Sequence, residues 1–227
     1  MAMQLDSVVP FGRSQDEYIK MFNLTAADLE RSILGVGDGP ASFNAESTAL
    51  GSQITSIDPI YELSGPQIQQ RFEAVLDGIM DQIKATPEDW VWSYHSSPED
   101  LRHNRIKTMQ TFLQDYERGK QEGRYQTAAL PTLPFPDQTF ELALCSHFLF
   151  LYSKHYDAAF HQTSIRELLQ ISTEVRIFPL LTLMLEPSPY LPPVIQACQD
   201  GGYVTAIETV GYELQKGGNQ MLVIRSP

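Results

Sequence analysis

The chain has 227 residues, 42% of them hydrophobic, enough for one globular domain spanning residues 1–227 with a sizeable core. No run approaches the ~18 consecutive apolar residues of a membrane helix, and the N-terminus lacks the layout of a secretion signal, so a cytoplasmic protein without membrane contact is expected. With 28 acidic and 16 basic side chains the net charge is −12. That balance disfavours a nucleic-acid partner, whose affinity comes largely from Lys and Arg displacing counterions. Cys145 and Cys198 lie far apart without CxxC spacing, which predicts neither a disulfide framework nor a zinc site.

Residues 14–23 read as a helix, and Thr25 with Asp28 as the capping box of a short turn. An apolar run, Ser32 to Val36, then enters the turn Gly35-Val36-Gly37-Asp38-Gly39. Pro40 is placed as the first residue of the next helix and Gly51 as its stop. A second strand, Gln53 to Ile57, ends on Asp58-Pro59. Strand, glycine-rich turn, helix and a carboxylate about 20 residues on are the parts of a site for an adenosine-containing cofactor. Glycines let backbone approach the ligand, and the acid accepts ribose hydroxyls.

Ile68, Phe72, Val75, Leu76, Ile79, Met80 and Ile83 recur at helical spacing. Ser97-Pro98-Glu99-Asp100 opens another helix, which Leu101, Met109, Phe112, Leu113 and Tyr116 continue to Gly119. These helices form an insertion over about 65–124 that covers one end of the sheet. Its second half carries Arg102, Arg105, Lys107, Arg118, Lys120 and Arg124 against three acids, which reads either as a solvated helix face paired with acidic neighbours or as the grip of a lid on an anionic ligand. Alternation then resumes: a buried strand at 140–146, a helix at 157–172, a strand at 174–181 and a helix opened by Pro192-Pro193. Residues 203–214 and 220–225 close the chain as an antiparallel hairpin.

The run ILGVGDGPA at 33–41, ITSIDP at 54–59 and LPTLPFPDQTFELALCSHFLF at 130–150 resemble, in order, three motifs of the class I S-adenosylmethionine-dependent methyltransferases. The resemblance covers the chain from about residue 30 onward, apart from the insertion. It implies an α/β, Rossmann-like, doubly wound seven-stranded sheet, mostly parallel with a reversed last strand, and S-adenosylmethionine as cofactor. It also implies cofactor contacts from Gly35, Gly37, Asp38, Gly39, Asp58, Leu130 and Ser146. Three positions depart from the family pattern. Gly35 stands where an acid usually ends the first strand, Ala41 replaces the last glycine, and Ala129 falls where an acid often precedes the adenine loop; Asp38 is the candidate replacement for a lost carboxylate.

The expected function is methyl transfer to a small-molecule, anionic acceptor. The alternatives are a non-catalytic protein that keeps the cofactor as a structural or sensing ligand, and an NAD-binding oxidoreductase. Pro40 stands where the dinucleotide fingerprint wants its third glycine, which weighs against the latter. His147 follows the fourth strand at the carboxyl edge of the sheet and is the candidate general base. Arg105, Arg124 and Tyr152 are the candidate acceptor contacts. No metal is expected, since His95 with His103 and His155 with His161 lack further ligands.

Overall fold

The structure, a computed structural model, describes residues 3, 5 and 7–226. Its centre is one seven-stranded sheet built from β1 (Ser32–Val36), β2 (Gln53–Ile57), β3 (Tyr125–Gln126), β4 (Leu142–Ser146), β5 (Glu174–Phe178), β6 (Val204–Thr209) and β7 (Gln220–Arg225). The spatial order is β3-β2-β1-β4-β5-β7-β6, and β7 alone runs against its neighbours. This is the Rossmann-like methyltransferase topology that the motifs imply.

The helices are α1 (Gln15–Met21), α2 (Ala26–Leu29), α3 (Phe43–Ala49), α4 (Gly65–Ala85), α5 (Pro98–Gln121), α6 (Ala158–Ile171) and α7 (Leu191–Asp200). They cover both faces of the sheet because the central strands are apolar on both sides. In β1, Ile33 joins the core under α1, α4 and α5, whereas Leu34 and Val36 join the opposite core under α6 and α7. Leu142 and Leu144 divide from Ala143 and Cys145 in the same way, as a period-two strand requires. The wholly apolar stretch around Cys145 is therefore doubly covered strand, and its thiol, pushed up to about 12 by burial, is a core group.

Several boundaries differ from the sequence reading. The helix expected from Pro40 begins at Phe43. The N-terminal segment crosses at this point: a Cβ on Gly12 would lie 2.2 Å from the Pro40 carbonyl oxygen, and the Ser42 N–H donates to the Arg13 carbonyl at 3.0 Å. Residues 40–42 are thus occupied in carrying that crossing strap. The strand expected over 174–181 stops at Phe178, before Pro179, and the one over 203–214 stops at Thr209. Residues 210–219 leave the sheet, and there Val91 N–H donates to the Leu214 carbonyl (2.8 Å) and Lys216 N–H to the Asp89 carbonyl (3.0 Å). β3, two residues long, has no periodicity by which to be read. α5 is the crossover that a parallel β2 to β3 connection needs, so α4 is the added element of the expected insertion.

One buried ion pair ties α1 to α5. Arg105 Nη1 and Nη2 donate to the two carboxylate oxygens of Glu17 at 2.7 and 2.6 Å, and neither side chain is exposed. The Ser14 N–H, the Ser14 hydroxyl and the Tyr212 hydroxyl also donate to Glu17, and His95 Nε2 lies 3.2 Å from it. Removing one partner of such a pair strands a charge in the core. Arg105→Met is expected to lower unfolding free energy by ~3–5 kcal/mol in urea titrations. A loss under ~1 kcal/mol would show that the pair contributes little.

Candidate functional site

A cavity of about 670 Å³ opens along the carboxyl ends of β1, β2, β4 and β5, where ligands bind in open α/β sheets. The glycine turn, Asp58 and residues 128–130 line it, as do Phe178, Trp90, Tyr212, Leu214 and Gln215. Gly37, Asp38, Gly39, Asp58, Leu130, Ser146, His147 and Tyr152 all line it, so residues drawn from five separate stretches of sequence meet in one space. Gly35 does not line it. The one face of the 65–124 segment that reaches the cavity belongs to α4 and the following loop, through Arg71, Val75, Ile79, Ile83 and Trp90.

The turn is built for close approach. Gly37 and Gly39 take φ of +67° and +53°, the left-handed region that favours glycine. The Gly37 N–H donates to the Ile57 carbonyl (2.9 Å), the Gly39 N–H to Asp58 Oδ2 (2.9 Å), and the Tyr61 hydroxyl to the Gly39 carbonyl (2.6 Å). Asp58 Oδ1 accepts from Ile60 N–H (2.8 Å). Each carboxylate oxygen accepts one of these bonds and has capacity for another. Burial pushes the Asp58 carboxyl up to about 6, against the pull of those N–H groups.

Asp38 folds back over β1. A Cβ added to Gly35 would lie 1.9 Å from Asp38 Oδ2, so the Asp38 carboxylate occupies the space of a side chain at residue 35. The Tyr18 hydroxyl donates to its Oδ1 and the Ser56 hydroxyl to its Oδ2, both at 2.6 Å. The acid missing from the strand end is thus replaced in space by one three residues later. Burial is the main cause that raises its carboxyl to about 7, and the Asp58 charge adds to it.

His147 has φ +50°, and its N–H donates to the Phe178 carbonyl at 2.6 Å. Nδ1 lies 2.9 Å from the Ser146 hydroxyl. Burial first, and the Arg13 and Arg105 charges second, hold the imidazole well below its usual value, so it is neutral at physiological pH. The Tyr152 hydroxyl accepts from the Val9 N–H at 3.3 Å.

The two arginines expected to grip a ligand are engaged elsewhere. Arg105 is enclosed with Glu17, and Arg124 donates to Asp115 Oδ2 and Oδ1 (2.7 and 2.9 Å), to Asn44 (2.7 Å) and to Glu122 (2.8 Å). Arg102 pairs with Asp77, and Lys120 donates to the Tyr61 carbonyl. None of these cations faces the cavity, so the placement does not fit the lid grip. Arg105, Lys120 and Arg124 reach partners distant in sequence, while Arg118 and Arg124 also pair with the neighbouring Asp115 and Glu122. Two cations do line the cavity, the exposed Arg71 of α4 and Arg13, the latter on an aperiodic stretch that carried no sequence signal. Among the described residues, no cluster of His, Cys, Asp and Glu has the arrangement of a metal site.

No protein-family model matches the chain. Over 224 residues it is 35% identical to the uncharacterized protein MJ0045 of Methanocaldococcus jannaschii, covering 98% of each sequence. The chain belongs to that protein's family. The fold of this family is similar to two solved structures. One is magnesium protoporphyrin IX methyltransferase from Synechocystis PCC 6803 with bound S-adenosylmethionine: 13% identity, 87% of this chain and 70% of that one, TM-score 0.46. The other is a S-adenosylmethionine-dependent methyltransferase from Aquifex aeolicus: 12% identity, 92% of this chain and 90% of that one, TM-score 0.43.

The buried Asp38 carboxyl makes stability depend on pH. Its folded value of about 7 lies above the ordinary 3.8, so its contribution favours the folded state in acid and is lost as pH rises toward 7. Between pH 4 and 7 the stability of the wild-type protein relative to Asp38→Asn should fall by up to ~1.4 kcal/mol per pH unit, read by urea titration at each pH. A difference independent of pH would remove Asp38 from this role.

Proposed function

We propose that the protein transfers a methyl group from S-adenosylmethionine to a small-molecule acceptor that carries an anionic group. The observation that carries this reading is the convergence of the glycine turn, Asp58, residues 128–130 and His147 on one cavity at the carboxyl edge of the sheet. The cradle fits the cofactor: Gly37 and Gly39 offer backbone without side chains, and Asp58 offers acceptors for a ribose. Asp38 and Asp58 together make this end of the cavity acidic, which suits a cationic sulfonium ligand.

S-adenosylmethionine brings a methyl group already activated by its sulfonium, so the protein's task is to hold the acceptor in line and exclude water. Residues 128–130 supply the apolar wall for the adenine, Leu130 among them. Where the acceptor must lose a proton, the neutral His147 ring accepts it, and the Ser146 hydroxyl fixes the ring's orientation through Nδ1. The acidic surface, net −12, favours a small acceptor over a polyphosphate chain.

Calorimetric titration with S-adenosylmethionine tests the reading. Binding is expected to weaken ~10- to 100-fold in Asp58→Ala, the size of a charged hydrogen bond. It should tighten as pH rises from 5.5 to 7.5, because the carboxyls at about 6 and about 7 gain negative charge in that window. No binding to the wild-type protein, or binding only of a nicotinamide cofactor, would overturn it.

A further inference from the structure

Arg13 is a half-buried cation that pairs with no carboxylate among the described residues. It lines the cavity, and its Nε is enclosed with no hydrogen-bond partner. Its recorded hydrogen bond runs from Nη1 to the Phe11 carbonyl, and among the described residues it forms no ion pair. The carboxylate nearest in the network, Glu17, is not available. Its oxygens already accept from Arg105, Ser14 and Tyr212 and meet His95. Arg105 therefore neutralises Glu17, and the positive charge of Arg13 is left over. Both guanidinium groups stand over the Phe11 ring, at 5.6 Å for Arg13 and 5.3 Å for Arg105.

A guanidinium whose enclosed Nε has no partner is costly to keep unless a ligand supplies an acceptor. Arg13 is held there by the chain crossing at Gly12 and by its carbonyl accepting from Ser42 N–H, so it does not reach its position by side-chain freedom alone. The surroundings are apolar and aromatic. Tyr152, Tyr212, Phe178, Trp90, Leu151 and Leu214 line the same cavity. The acidic pair Asp38 and Asp58 lines the cavity at the glycine turn.

We propose that Arg13 receives the carboxylate of an aromatic or branched apolar acid, and that this acid is the methyl acceptor. The inference rests on the methyl-transfer reading for the word acceptor, and on the cavity alone for the carboxylate. A planar fork with five donors matches a carboxylate bidentately, and the aromatic walls take the rest of such a molecule. The bound anion has a further effect. Burial is the main cause that lowers the basicity of His147 and the Arg13 charge comes after it, so a carboxylate placed on Arg13 relieves that smaller part.

The test uses phenylacetate as probe and phenylacetamide as its uncharged counterpart, titrated calorimetrically into the wild-type protein, Arg13→Met and Arg13→Lys, with S-adenosylmethionine titrated in parallel. Wild-type protein is expected to bind phenylacetate at least ~10-fold more tightly than phenylacetamide. Arg13→Met should lose that preference while its affinity for S-adenosylmethionine stays within about threefold, and Arg13→Lys should keep part of the preference. Equal binding of the two probes by wild-type protein, or no binding of phenylacetate at about 10 mM, overturns the proposal and needs no variant to be read. A tenfold loss of S-adenosylmethionine affinity in Arg13→Met with the phenylacetate preference intact gives the anion site to the cofactor and also overturns it. Absence of S-adenosylmethionine binding to wild-type protein refutes the methyl-transfer reading and the word acceptor with it, while the two probes still decide whether Arg13 is a carboxylate site.

Discussion

The position of one carboxylate organises the site. Asp38 turns back over β1 and is fastened by Tyr18 from α1 and Ser56 from β2, so a single buried acid links the glycine turn to two other elements. It fits only because residue 35 has no side chain. The conformation of the turn, the packing of α1 on the sheet and the acidity of that end of the cavity all follow from it. Tyr18 also stacks on Phe43 at 4.3 Å between ring centres, which carries the same constraint into α3.

The cavity has two electrical poles that the sequence total conceals. A net charge of −12 describes the exterior, whereas the interior sets Asp38 and Asp58 against Arg13. Asp38 is buried and Asp58 and Arg13 are half-buried, so salt screens them less than it screens surface charges. His147 is held neutral first by its own burial and then by the Arg13 and Arg105 charges. A ligand that is cationic at one end and anionic at the other suits this field, as does a pair of ligands of opposite charge.

What could be read from residue order was what depends on short-range signals. The strands Ser32–Val36, Gln53–Ile57 and Gln220–Arg225, the Ser97 cap and the capping box at Thr25 are local patterns of polarity and turn chemistry, and all of them stand in the structure. The role given to 102–124 did not survive because charge counting sees neighbours along the chain. Arg105 finds Glu17, 88 positions away, and Arg124 reaches Asn44, 80 positions away. Arg13 was invisible for the opposite reason: nothing periodic surrounds it, and its meaning comes from the crossing at Gly12. Gly35 read as a loss, and the three-dimensional path of Asp38 puts a carboxylate in the space of a side chain at that position.

The walls of the cavity are not equally firm. On the side of Trp90, residues 89–91 and 214–216 are joined strand-like by main-chain hydrogen bonds, so displacing that wall breaks several at once. On the other side the strap before Gly12 is held, among the described residues, by the Phe11 N–H to Val9 carbonyl contact and by the Val9 N–H on Tyr152, with apolar contacts from Met3, Leu5 and Val9. Local opening follows the cheapest set of contacts. The strap runs directly into Arg13, and Phe11 within it stacks on Phe72 of α4, so any shift of this wall also moves the guanidinium proposed to receive the anion.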